Sequence, residues 1–164
     1  MAQPGSPEAD RHWLSAAIEL STRCEPSATA FSVGAVLVSA DGEVLTHGYS
    51  RELDPADHAE EVALAKIGLP RPDELDGSRT ATGLAGATLY SSLEPCAART
   101  SRPVPCADLI IASGVGRVVI AWREPPIFVR GGGAVRLRTA GIAIVALPEL
   151  APAARAVNAH LLDS

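Results

Sequence analysis

Near the start of the chain, apolar residues recur at Trp13, Leu14, Ala17, Ile18 and Leu20, with polar residues between them. That spacing predicts a helix from about Ala9 to Cys24, behind a leader, residues 1–8, expected to be disordered. The pattern then changes. Val33 to Ser39 is an apolar, β-branched run, Ala40-Asp41-Gly42-Glu43 is a turn signal, and Val44 to Tyr49 resumes as a strand, so the stretch reads as a β-hairpin. A second helix is expected from near His58, with Val62, Ala63, Leu64 and Ile67 on its buried side and Asp57 as a possible cap.

Residues 68–85 are rich in Gly, Pro, Asp, Ser and Thr and read as a surface loop. Ala87 to Ser91 predicts a short strand, Pro105 to Ser113 a helix with Cys106 in its first turn, and Arg117 to Trp122 another strand. A loop over 123–133, a helix over about 134–140, a strand from Ile142 to Leu147 and a helix from Glu149 to Leu162 complete the chain. The order α-β-β-α-β-α-β-α-β-α predicts a three-layer α/β/α sandwich around a five-stranded mixed sheet, the hairpin antiparallel and the later strands joined by helical crossovers.

Composition narrows the function. The chain has 164 residues, 47% of them hydrophobic, which suits one domain with one core. The net charge is −5 and Lys66 is the only lysine. A large polyanion such as tRNA calls for a basic face, so no nucleic-acid partner is expected. No 18-residue apolar stretch occurs, so no membrane association is expected. Three cysteines suit a reducing compartment better than a disulfide framework, and a cytoplasmic protein is expected.

The candidate chemistry lies in His58-Ala59-Glu60, Pro95-Cys96 and Cys106. One imidazole and two thiolates suit zinc, and three protein ligands leave a fourth position for water. His58 and Cys106 fall at expected helix starts, and Cys96 follows Pro95, a residue favoured in a helix's first turn. Free N–H groups and the dipole there favour thiolate over thiol. Glu60 is two residues from the imidazole and is read as the proton carrier, not a ligand. Taken singly, each of these residues is more often a capping histidine, a small buried thiol or a solvated carboxylate; it is the combination that points to one zinc ion per chain. Glu61 reads as a solvated helix residue, Cys24 carries no motif, and Gly131-Gly132-Gly133 reads as loop flexibility.

At these residues the chain resembles the cytidine-deaminase-like zinc deaminases. Within them it is most similar to the deaminase domain of the bifunctional riboflavin-biosynthesis deaminase/reductase. A long insert between Cys96 and Cys106, ending in Arg102-Pro103-Val104-Pro105, is typical of that branch. The likeness continues through Ala112–Val119, Gly131–Leu137, Ala140–Ile142 and Ala154–Asn158. It implies a single zinc-dependent deaminase domain over residues 9–164 without the reductase domain. It also implies hydrolytic release of ammonia from an aminopyrimidine nucleoside or nucleotide, the diaminohydroxyphosphoribosylaminopyrimidine type, and assembly as a homodimer or homotetramer.

Arg102 matches that family's arginine before the second cysteine and would bind a phosphate or ribose, or else be a solvated loop residue. Phe31 and Trp122 are read as rings that stack on a base, and Val33 and Ala35 as a pocket floor, with core packing as the alternative for Phe31, Val33 and Ala35. Two readings compete with the riboflavin-type substrate. Phe31-Ser32-Val33-Gly34-Ala35 is similar to the pyrimidine wall of cytidine deaminases, and Ser50 stands where the riboflavin branch has a histidine, so a cytosine- or cytidine-type deaminase of specialised metabolism is one alternative. A non-catalytic, zinc-stabilised subunit is the other, and it leaves Glu60 without a purpose.

Overall fold

The computed structural model describes residues 4–69, 84–99, 104–123, 125 and 132–162. Helix α1 (Pro7–Ser21) is followed by strands β1 (Gly34–Val38) and β2 (Val44–Tyr49), helix α2 (Ala59–Lys66) and strand β3 (Thr88–Ser91). Then come α3 (Cys106–Ser113), β4 (Arg117–Ile120), α4 (Gly133–Thr139), β5 (Ala143–Ala146), a single 3-10 turn at Pro148–Leu150, α5 (Ala151–Val157) and α6 (Ala159–Leu162). The strands form one sheet in the order β2-β1-β3-β4-β5. β1 pairs antiparallel with β2 and β3, while β3/β4 and β4/β5 are parallel. The sandwich and the five-stranded mixed sheet are thus as the sequence predicts.

The layers follow from where helix backbones can approach the sheet. A Cβ on Gly34 would lie 1.9 Å from the carbonyl oxygen of Ala17, so α1 sits directly on β1 there. A Cβ on Gly48 would lie 2.7 Å from the carbonyl oxygen of Ala59, so α2 sits directly on β2. Gly48 pairs with Ala35, the neighbour of Gly34, and side chains alternate along a strand, so α1 and α2 cover opposite faces. α5 packs with α1, and α3 and α4 pack on the α2 side. Leu14, Leu37, Leu89, Ile110, Val118 and Leu137 are fully buried between these layers; each contributes about 1.5–3 kcal/mol of burial.

Element ends depart from the sequence reading for local reasons. Pro7 and Glu8, read as leader, open α1, because the Ser6 hydroxyl accepts the Ala9 N–H at 3.1 Å and Pro7 needs no partner for its nitrogen. The same helix stops at Ser21, short of Cys24, where the hydroxyls of Ser21 and Thr22 donate to the carbonyls of Ile18 and Glu19. The closing helix breaks at Asn158, whose buried amide turns to Ser32. Most of the loop expected over 68–85 and most of that over 123–133 lie outside the described residues.

Candidate metal and proton-transfer site

β2, β3 and β4 end at one edge of the sheet, where β1 begins, and α2, α3 and α4 follow them in the chain. His58 occupies the N-cap of α2, with extended backbone (φ −94°, ψ 156°). Cys96 lies in the loop after β3, and Cys106 is the first residue of α3, following Pro105 at the N-cap. The Cys106 N–H donates to Cys96 Sγ at 3.2 Å and the Ala107 N–H donates to the Cys96 carbonyl at 3.0 Å. The start of α3 therefore directs its unused donors at Cys96, as a helix N-terminus does toward negative charge.

His58 Nδ1 lies 3.6 Å from Cys96 Sγ and 3.5 Å from Cys106 Sγ. A zinc tetrahedron, with bonds of about 2.05 Å to nitrogen and 2.3 Å to sulfur, sets nitrogen and sulfur about 3.5 Å apart. The three donor atoms thus fit one zinc ion. The Cys96 thiol is pulled down to about 4, first by the hydrogen bond from the Cys106 thiol, with His58 and the Cys106 N–H adding to it against burial. Cys106, the partner in that bond, is pushed up by it and by burial.

Glu60 is buried, 3% exposed, and its Oε1 accepts the Ser91 hydroxyl at 2.7 Å. That hydroxyl also contacts the Leu93 carbonyl at 2.7 Å. Burial pushes the Glu60 carboxyl up, and it outweighs the opposing effects of His58 and Ser91.

A cavity of about 300 Å³ opens onto His58, Cys96 and Glu60, a size that suits a small ring-bearing ligand. Its wall is Thr29, Ala30, Phe31 and Val33, and Ser50, Arg51 and Glu94 also line it. Phe31 packs edge-on against Trp122, ring centres 5.3 Å apart. Trp122 does not itself line the cavity, and it supports the wall through Phe31. Val33 lines the cavity, whereas Ala35 is fully buried on β1, paired with Gly48 and Ser91 on the α2 side of the sheet. Ala35 is therefore core, not floor. Arg102 lies outside the described residues. The Ser50 hydroxyl accepts the Val33 N–H at 2.9 Å and so ties the end of β2 to the wall.

Three buried groups around this site carry no simple sequence signal. Glu61, expected in solvent, is 1% exposed, and its Oε1 accepts the His58 N–H at 2.6 Å. Glu61 is the N3 residue of α2 and reaches back to the N-cap, the acidic half of a capping box. Arg99 pairs with the same oxygen at 3.0 Å. Asn158 accepts the Ser32 N–H at 2.6 Å and donates to the Ser32 carbonyl at 3.0 Å, pinning the cavity wall.

The sequence pattern of the family described as the cytidine and deoxycytidylate deaminase zinc-binding region matches residues 7–122. The chain belongs to that zinc deaminase family. Among curated relatives, it is 40% identical over 129 residues to the diaminohydroxyphosphoribosylamino-pyrimidine deaminase of Schizosaccharomyces pombe, covering 79% of this chain and 30% of that one. Among solved structures, it superposes with a TM-score of 0.71 and 31% identity on the Thermotoga maritima diaminohydroxyphosphoribosylaminopyrimidine deaminase/5-amino-6-(5-phosphoribosylamino)uracil reductase, covering 94% of this chain and 40% of that one. The Aspergillus oryzae Rib2 deaminase in complex with DARIPP gives 0.67 at 25% identity, covering 85% and 84%. The chain spans about a third of the length of the curated relatives it matches.

Proposed function

We propose that the chain is a zinc-dependent hydrolytic deaminase that releases ammonia from an aminopyrimidine nucleotide of the riboflavin-pathway type. The observation that carries this reading is the meeting of His58 Nδ1 with two cysteine sulfurs beside a buried carboxylate at the base of one cavity. The names of the relatives in two kingdoms and the DARIPP complex of the Aspergillus protein support the substrate class. His58, Cys96 and Cys106 would hold one zinc, which when bound acts as a Lewis acid that brings the ionisation of water near neutrality.

The chain's own residues then have defined tasks. The reaction replaces a ring C–NH₂ by C=O, consuming one water and releasing one ammonia. Glu60 takes the proton the attacking water loses and delivers it to the departing nitrogen, so one carboxylate serves both steps. Ser91 holds Glu60 Oε1 and leaves Oε2 to carry the proton. Phe31, braced by Trp122, offers the ring an apolar wall, and Arg102, which precedes Cys106 in the sequence as the resembling family's arginine does, would meet a phosphate or ribose. We also propose a cytoplasmic enzyme assembled as a homodimer or homotetramer; among the described residues no helix is long and apolar enough to cross a membrane.

Ammonia release across a panel of diaminohydroxyphosphoribosylaminopyrimidine, its unphosphorylated form, cytidine, dCMP and cytosine tests the reading. Turnover greatest on the first compound is the expected result. Turnover confined to the cytosine compounds, which the Phe31–Val33 wall and Ser50 would favour, assigns the chain to the second substrate class. No turnover by zinc-loaded protein on any of them supports a non-catalytic subunit.

A further inference from the structure

Arg99 and Glu61 form a buried ion pair, their side chains 2% and 0% exposed. Such pairs carry a desolvation cost, and well-packed apolar side chains often serve a core as well or better. This pair touches two of the three candidate ligands, His58 and Cys106. Glu61 Oε1 accepts the backbone N–H of His58 at 2.6 Å. Arg99 Nη2 donates to that same oxygen at 3.0 Å and to the Ala56 carbonyl at 2.7 Å. Arg99 Nη1 lies 3.9 Å from Cys106 Sγ, within reach of a charge-assisted N–H···S contact. Arg99 itself sits three residues after Cys96.

We propose that Arg99 and Glu61 are positioning residues for the metal. Glu61 fixes the histidine through its main chain, and Arg99 donates to the Cys106 sulfur, so that together they hold that nitrogen and that sulfur at zinc-binding separation. The inference rests on the zinc reading above. Its physical basis is general: groups hydrogen-bonded to ligands orient them and tune their donor strength. The guanidinium, planar and permanently charged, bridges a carboxylate and a sulfur at once, a task for which a lysine has the charge but not the fork.

The test uses purified wild-type protein, Arg99→Met, Arg99→Lys and Glu61→Gln, with zinc itself as the probe. Zinc affinity is read by chelator competition, ligand geometry by the thiolate-to-metal charge-transfer band of the cobalt(II)-substituted protein, and folding by far-UV circular dichroism. Arg99→Met is expected to weaken zinc about 10- to 100-fold and to shift the cobalt band. Arg99→Lys is expected to restore part of both, and Glu61→Gln to fall between. A merely structural pair would lower the melting temperature of every variant while leaving the cobalt band of the folded protein in place; that result overturns the proposal. If Arg99→Met does not fold, unchanged affinity and band in the other two variants overturn it equally. Wild-type protein that binds no stoichiometric zinc refutes the metal reading itself, an outcome distinct from variants that match a zinc-binding wild type.

Discussion

Two consecutive residues of β3 serve two buried carboxylates on opposite faces of the sheet, and the carboxylates are driven in opposite directions. On the α1 side, the Tyr90 hydroxyl donates to Asp10 Oδ1 at 2.7 Å, Arg117 donates to both Asp10 oxygens, and the Gly5 N–H adds a contact at 3.2 Å. Burial alone would raise the Asp10 carboxyl, but these donors and the Arg117 charge hold it below its ordinary 3.8. Burial, with the bond to Asp10, pushes the Tyr90 hydroxyl up. On the α2 side, Ser91 gives Glu60 one hydrogen bond, and burial prevails. Asp10 is satisfied as an anion and closes the base of the sandwich. Glu60 is left under-served, which is the condition a proton carrier needs. Each residue is 3% exposed, and the paired guanidinium with its added donors marks Asp10 as a structural carboxylate.

The contrast is broken most forcefully at Glu60. Glu60→Gln is expected to fold, to retain zinc and to lose turnover by about 10²–10⁴-fold, the usual share of general acid–base catalysis; a variant that keeps its turnover removes Glu60 from the mechanism. The converse change, Asp10→Ala, leaves Arg117 and Tyr90 without their acceptor and is expected to cost about 2–3 kcal/mol in urea unfolding. It should leave zinc affinity unchanged, and a loss of zinc in that variant would mean the two clusters are coupled.

The smallest expected effect is in acid. Because folding lowers the Asp10 pKa, its contribution to stability is complete above the unfolded value near 3.8 and is lost as pH falls through the lower folded value. Unfolding free energy measured with zinc-free protein from pH 5 downward should therefore fall less steeply in Asp10→Asn than in wild type. Equal slopes would show that the Arg117 pairing contributes nothing in solution.

Much of this was readable beforehand because the signals are local. An apolar, β-branched run and a turn signal mark β1 and β2, helical spacing marks α1, and the candidate metal set is recognisable from Pro95-Cys96, Cys106 and His58-Ala59-Glu60 in strand–helix context. The residues that escaped are those whose role is fixed by partners distant in the chain. Two adjacent glutamates read as one chemical and one solvated residue, yet Glu61 is drawn inward by Arg99, 38 positions later. Ala35 belongs to an apolar run that borders the cavity, and only the pairing with Gly48 and Ser91 shows that it faces the underside of α2. The apolar spacing from Glu149 to Leu162 suits an unbroken helix, and nothing local announces that Asn158 will leave it.

That departure has a practical consequence. Asn158 grips the main chain of Ser32 from 126 positions away, directly behind Phe31. The cavity wall is thus held in part by a residue between α5 and α6. Variation in α5 and α6 offers a means of retuning which rings are admitted, while the histidine, the cysteines and the glutamate remain untouched.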